Sequence, residues 1–484
     1  MTKTKHSEGL QSKKTENFSE WYSQIIEKAE IVDLRLGIKG FITIRPWGAM
    51  LMENMFQLYE QELQKKGHLP VIMPSVIPES NLKKEASHIA GFTPQVFWIE
   101  AEKGEEKLAL RPTSETVFTP MFALWVRSHR DLPMKLYQKG SVFRYDTKAT
   151  RPLIRGREFQ WIEAHDAFAT KQEAEAQTKE DIDTTENVMH QKFGIPFLPM
   201  KRPEWDKFAG AEYTIGSDVL MPDGKLIQQP STHSMGQKFS RVFGAKFKDD
   251  NGKENYLWTT AYGPAISRIL ASVISLHGDD KGLILPYCIS PIKVIIVPIY
   301  DSNNKLKVLK YCNTVNFKLN ELNINSRVDD NEKRPGEKFH EWELKGVPFR
   351  LEIGEKEVKS KSLTLFIRDI DKKEKLSEKS LAKIKDLGKA YDERIRKKAD
   401  KLMEGKIANC KTKDEIKKVL NSGKIARVNF CSVGKDGEKC AEHVEKEMGA
   451  EVRGTLANKN ERASSRCVIC GKPSKEIVYI GRSY

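Results

Sequence analysis

Four strand-like runs crowd into residues 96–170: VFWIE, KLALRP, KLYQKGSVFRY and REFQWIEAHDAF. The connections between them are too short for parallel crossovers. They predict an antiparallel sheet within an α+β domain. Upstream, residues 18–66 read as helical. Behind Pro46, which suits a first helical turn, Trp47, Met50, Leu51, Met55, Leu58, Tyr59 and Leu63 recur at three- and four-residue spacing, and this helix stops at Gly67. VIM at 71–73 reads as a short strand. Residues 171–193 read as an exposed helix, a hairpin turns at Met221–Gly224, and a helix over 265–277 ends at His277-Gly278.

A boundary is expected near 284–293. Beyond it, the apolar run VIIVPI (294–299) suits a strand buried on both faces. Helices at 303–322, 335–345 and 377–404 and strands at 324–328, 347–353 and 362–368 make an α/β domain. Residues 405–484 are short and Cys-rich. Three domains fit the 484 residues at about 100–200 residues each.

No run of about 18 apolar residues exists, which excludes a membrane-spanning helix. The polar N-terminus lacks a secretory core, so the expected compartment is the cytosol. Lys and Arg outnumber Asp and Glu 82 to 67, a net charge of +15. That excess fits a nucleic-acid partner or a Lys-rich composition, and charge alone does not decide between them. Neither a GxxxxGK[ST] loop nor a strand followed by GxGxxG is present.

The chemistry concentrates on arginines. Arg144, Arg155 and Arg157 cluster in one hairpin, and guanidinium forks suit phosphate oxygens. Thr113 and Glu115, two apart, are expected on one strand face, as are Trp161, Glu163 and His165.

At these segments the chain resembles the class II aminoacyl-tRNA synthetases, and closely the archaeal/eukaryotic-type prolyl-tRNA synthetases. PWGAMLMENMFQLYEQELQKKGHLPVIMPSVIP (46–78) is similar to motif 1, SVFRYD…RPLIRGREF (141–159) to motif 2, and AYGPAISRILA (261–271) to motif 3. RPTSE, FAGAEYT and HGDDKGLILP add family-specific matches. Three positions depart from the pattern: Asp146 stands for a common Glu, Ser231 for a Thr, and Pro264-Ala265 for frequent glycines.

The resemblance implies a flexible N-terminus (1–17), a class II catalytic domain (18–288), an α/β anticodon-binding domain (289–404) and a small α/β zinc-binding domain (405–484). It implies ligation of L-proline to tRNA(Pro) through a prolyl-adenylate, with ATP, catalytic Mg2+ and structural Zn2+, in a homodimer. Arg144 and Arg268 would be catalytic. Arg144, Arg155, Gln228, Ser231 and Arg268 would bind ATP. Thr113, Glu115, Arg144, Trp161, Glu163, His165, Phe208 and His233 would line the proline pocket. Lys338, Glu341 and Arg350 are the anticodon candidates. Another subclass member charging Thr, Ser, Gly or His, or a non-catalytic tRNA-binding paralogue, are the alternatives. Only 95 positions separate Phe168 from Gly263, too few for the editing insertion of bacterial-type relatives.

Four of seven cysteines, Cys431, Cys440, Cys467 and Cys470, lie after residue 430. CxxC offers two thiolates from one turn, and two more complete a tetrahedral Zn2+ site. The segment looks too short for a large core, so the metal is expected to supply much of its folding energy. The resemblance also implies that Tyr484 and its carboxylate reach back toward the active site.

Overall fold

The computed structural model describes residues 9–88, 95–145 and 149–484. Its spine is an 11-stranded sheet. The catalytic segment contributes β1 (Leu69–Pro70), β2 (Met134–Phe143), β3 (Glu158–Phe168), β4 (Leu198–Lys201), β5 (Tyr213–Leu220), β6 (Lys225–Gly236) and β7 (Trp258–Gly263). The C-terminal segment contributes β8 (Ile407–Asn409), β9 (Ile425–Phe430), β10 (Glu451–Leu456) and β11 (Glu476–Ser483). The order is β8-β9-β11-β10-β4-β5-β6-β7-β3-β2-β1. Its central strands, from β4 to β2, pair antiparallel as expected.

The four runs at 96–170 divide between two sheets. KLYQKGSVFRY and REFQWIEAHDAF form β2 and β3. The other two pair with Val76–Pro78 in a separate three-stranded sheet.

Helix α1 (Phe18–Lys28) starts where the Asn17 side chain accepts from the Glu20 amide. Its Phe18, Trp21, Tyr22, Ile25 and Ile26 stripe is buried. Residues 18–66 are not continuously helical. Glu30, Gly37 and Gly40 adopt positive φ, and a Cβ on Gly40 would lie 2.6 Å from Arg157 Cγ. The second helix, α2 (Pro46–Lys65), begins on its proline. The strand expected at VIM falls two residues earlier, at Leu69–Pro70, and Ile72 is left 97% exposed. The expected flexible N-terminus is docked over its described part. Lys14 Nζ donates to the carbonyls of Gly278 (2.7 Å) and Leu276 (3.2 Å). These lie at the end of the helix Ile266–His277, where a cation suits the unpaired carbonyls.

Helix α3 (Glu115–Trp125) lies on the side of β3 that carries the odd-numbered residues, with Phe118 stacked on His165 at 4.3 Å. Helix α4 (Lys171–Thr185) was expected to be exposed, yet it buries Gln177, Thr178, Asp181, Thr184 and Thr185. Its inward face is polar and satisfied: Asp181 accepts from Thr232 of the sheet (2.6 Å) and from Gln177 of the same helix (2.8 Å). Helix α5 (Ile266–His277) is buried at every position except Arg268.

The next unit is a five-stranded mixed sheet. Val294–Pro298 is flanked by parallel neighbours, as its apolar run predicts, and an edge strand at Lys372–Ser377 was not anticipated. The C-terminal segment has its own core of Ile416, Val428, Phe430, Val444, Val478 and Ile480. Apolar burial there contributes to folding alongside any bound metal. No helix among the described residues is long and apolar enough to cross a membrane.

His277, buried in the last turn of α5, contacts the Phe193 carbonyl through Nε2 at 2.7 Å. Burial lowers its pKa from 6.5 to about 4. Between those values the unfolded chain binds more protons, so this group's contribution to stability falls as pH drops from 6.5 toward 4, by about 3 kcal/mol in all. His277→Gln should flatten the wild-type decline in melting temperature over that window; an unchanged slope would reject the assignment.

Candidate active site

The site stands on the face of the sheet opposite α5. On β3, alternation directs Trp161, Glu163 and His165 to this side, and His165 Nε2 lies 2.9 Å from Glu163 Oε2. Burial pulls the His165 pKa down, but Glu163 and Glu115 outweigh it and the net shift is upward. Burial raises the Glu115 pKa. Thr113 and Glu115 do meet, through a 2.5 Å bond from Thr113 Oγ1 to Glu115 Oε2. Strand alternation is not the reason: the strand ends at Leu110, and Glu115 opens α3. Arg111 anchors this loop, with Nη1 donating to the Met73 carbonyl (3.1 Å) and to Gln138 Oε1 (3.0 Å).

Across the pocket, the ring of Phe208 lies 5.0 Å from that of His233. His233 contacts Thr214 Oγ1 through Nδ1 (2.9 Å) and Ser231 Oγ through Nε2 (3.0 Å). Burial, reinforced by the charges of His165, Arg144 and Arg202, lowers its pKa to about 3, so the ring is neutral near pH 7. Ser231, expected beside the nucleotide, lies against His233.

Arg144, just past β2, donates from Nε to the Pro112 carbonyl (3.2 Å). Its guanidinium packs over Phe159 (5.2 Å) and Trp161 (5.6 Å). Arg268 also approaches Phe159, 5.9 Å from the ring centre. Phe159, which the sequence reading did not name, packs against both arginines and continues the alternation of Trp161, Glu163 and His165. Arg268 is held by the carbonyls of Ile154 (3.1 Å) and Gln228 (3.3 Å).

A cavity of about 180 Å³ opens here, lined by Arg155, Gln228 and Arg268 and by Arg453 and Tyr484 of the C-terminal segment. Gln228 faces the Arg202 side because β6 carries one extra residue: Gly216 pairs with Ser231, but Asp218 pairs with Gln228. Tyr484 donates to Asp223 Oδ1 (2.7 Å), and its main-chain oxygen accepts a long 3.5 Å contact from Arg155 Nη1. Asp146 lies outside the described residues. The arrangement pairs an acid-lined, partly aromatic pocket with a cationic cavity, joined at Arg144.

The anticodon candidates are spent inside their own domain. Lys338 is 1% exposed and donates to the Asp329 carbonyl, and Arg350 is 4% exposed between Glu343 and Glu352. Glu341 pairs with Lys333 and Lys345.

The catalytic segment over residues 97–277 matches the tRNA synthetase class II core domain (G, H, P, S and T), which places the sheet and its arginines in the class II synthetases. Residues 293–386 match an anticodon binding domain, and residues 413–484 match the prolyl-tRNA synthetase C-terminal domain. A proline–tRNA ligase of Thermofilum pendens is 46% identical, covering 99% of both chains. The solved prolyl-tRNA synthetase of Giardia lamblia in complex with prolyl-adenylate superposes with a TM-score of 0.92 at 35% identity, over 98% of this chain and 100% of that one. That of Cryptosporidium parvum with L-proline and AMP gives 0.90 at 29% identity, over 100% and 99%. This chain belongs to the prolyl-tRNA synthetases.

In the C-terminal segment, the thiols of Cys431, Cys440, Cys467 and Cys470 lie within 4.8 Å of one another, and the first two sulfurs are 3.6 Å apart. A tetrahedron with metal–sulfur bonds of ~2.3 Å has sulfur–sulfur edges of ~3.8 Å, so the donor set fits one soft metal ion. Burial pushes the Cys431 thiol up to about 11, and Cys440 is also raised; a bound cation would reverse both shifts. The purified, unchelated protein should carry about one equivalent of zinc by elemental analysis. Chelation should then expose these four thiols to a thiol reagent while Cys312 stays protected in its core. Less than half an equivalent, without chelation, would reject the site.

Proposed function

We propose that this chain ligates L-proline to tRNA(Pro) in two steps, through a prolyl-adenylate. The observation that carries this reading is the continuity between the two subsites. Arg144 stands between the Trp161–Glu163–His165 pocket and the cavity holding Arg155 and Arg268. Full-length likeness to proline–tRNA ligases supports proline over Thr, Ser, Gly or His.

Proline would enter with its ring between Trp161 and Phe208. Glu115, fixed by Thr113, accepts from the secondary ammonium, and Glu163, His165 and His233 complete the wall. The proline carboxylate attacks the α-phosphorus of ATP, and pyrophosphate leaves. Negative charge grows on the equatorial oxygens, where Arg144 is already held by a carbonyl and two aromatic faces, so little reorganisation is needed. Arg155 and Arg268 hold the outer phosphates, and Phe159 offers its face to the adenine. No protein nucleophile takes part, because positioning and electrostatics dominate phosphoryl-centred transfer. Mg2+ enters with ATP as its counter-ion and neutralises phosphate charge when bound. Zn2+ is the metal we assign to the four thiols.

The tRNA 3′ end then takes the prolyl group. For the anticodon domain, we shift the contact surface from Lys338 and Arg350 to exposed cations such as Lys372 on the strand Lys372–Ser377. The setting is cytosolic translation.

A homodimer is supported by exposed apolar side chains within motif 1: Leu69 is 64% and Ile72 97% exposed. The wild type should sediment as a dimer and Ile72→Asp as a monomer; a dimeric variant would remove Ile72 from the interface.

Proline-dependent ATP–pyrophosphate exchange should be present, and Arg144→Ala should lower kcat/KM at least ~100-fold. Exchange driven by another small amino acid in preference to proline would overturn the substrate, and a near-normal Arg144→Ala would overturn the role of that arginine.

A further inference from the structure

Asp218 on β5 has no exposed surface, yet it carries two guanidinium forks. Arg202, just past β4, donates to it from Nη1 (3.0 Å) and Nη2 (2.5 Å). Arg453, on β10 of the C-terminal segment, donates from Nε (2.8 Å) and Nη2 (3.0 Å). The carboxyl pKa is held down at about 2: the two arginines outweigh the burial that opposes them. Arg202 makes two further bonds. Nη1 donates to the backbone carbonyl of Arg453 (3.1 Å), and Nη2 donates to Gln228 Oε1 (3.0 Å). Gly216 leaves the room this fork needs, since a Cβ there would lie 2.6 Å from Arg202 Nη2.

A chain of charge-assisted bonds thus runs from the C-terminal segment to a side chain of the nucleotide cavity, in the order Arg453, Asp218, Arg202, Gln228. The Gln228 carbonyl in turn receives Arg268. The proline-side residues Thr113, Glu115, Trp161 and His165 take no part in these bonds, and His233 feels Arg202 only through its charge.

We propose that Arg453 is a positioning residue for ATP. It divides the Asp218 carboxylate with Arg202, and this leaves the Arg202 fork aimed at Gln228. Without Arg453, Arg202 is the main cation for both Asp218 oxygens; it recentres on them and releases Gln228. The consequence is selective: affinity for the nucleotide falls while the proline pocket is unaltered. The inference rests on the reading of the Gln228–Arg268 cavity as the ATP site.

The test varies ATP and proline separately in pyrophosphate exchange, and measures binding of a non-hydrolysable ATP analogue by calorimetry. Arg453→Met should raise the KM for ATP at least ~5-fold and leave the KM for proline within ~2-fold, since a misplaced contact is felt only by the ligand it serves. Arg453→Lys, which keeps the charge without the fork, should fall between. In a Gln228→Ala background, Arg453→Met should add nothing, because coupled residues are non-additive. Arg427→Met serves as control: it removes a C-terminal ion pair with Glu461 and does not line the cavity. It should leave the KM for ATP unchanged.

An unchanged KM for ATP in Arg453→Met, full additivity with Gln228→Ala, or an equal rise in Arg427→Met would each overturn the proposal. If Arg453→Met does not fold, the Arg453→Lys and Gln228→Ala pair carries the same comparison. A wild type that binds the analogue but shows no proline-dependent exchange would overturn the proposed activity, and the calorimetry would still decide the role of Arg453.

Discussion

Four register pairs, Thr455 with Lys201, Leu456 with Met200, Lys225 with Arg482 and Leu226 with Ser483, join the catalytic and C-terminal sheets into one. The rest of the molecule depends on this seam. Sheet hydrogen bonds set strand spacing at about 4.8 Å, so a side chain on β10 is placed relative to β5 with the accuracy of the backbone. Arg453 stands at an irregularity of β10, where the register against β11 shifts between Val452 and Gly454, and it shares one carboxylate with Arg202. Removing the shared Asp218 carboxylate would leave two buried guanidinium charges without compensation, at a cost of about 3–5 kcal/mol. The seam is thus a rigid part of the site, not a loose domain contact.

Legibility in the sequence followed the type of residue that is buried. Strand β3 was readable because Trp161, Glu163 and His165 alternate with apolar Ile162 and Ala164 along a single run. Helix α5 was readable from its apolar length. Helix α4 was not recognised as buried, because its inward face is Gln177, Thr178, Asp181 and Thr185, and hydrophobic periodicity does not register a buried polar face. The break between α1 and α2 was also hidden. It depends on the close approach of Gly40 to Arg157, and that partner is more than a hundred residues away. Lys338 and Arg350 show the same limit from the other side: a long cation in a helix or strand reads as solvated until the tertiary fold supplies Asp329, Glu343 and Glu352.

The two faces of the catalytic sheet divide the chemistry by parity. Odd positions of β3 face the proposed substrate pocket; the even position Asp166 stands 3.2 Å from His68 and accepts from Thr260 (3.1 Å) behind them. Burial and the Asp166 charge raise the Asp181 pKa to about 7. This rear layer fixes β3, β6 and β7 to α4 by directed bonds, which specify register more strictly than apolar contact does.

A sheet of eleven strands presents two edges, and an open edge is a template for pairing with another chain. Here both terminal strands are stubs. β1 has two residues, one of them Pro70, whose nitrogen has no hydrogen to donate, and β8 has three. Neither offers a run of backbone groups long enough to seed an intermolecular ladder. The sheet can therefore extend across two structural units and still end cleanly, so the length that organises the site does not make the protein prone to polymerise through its edges.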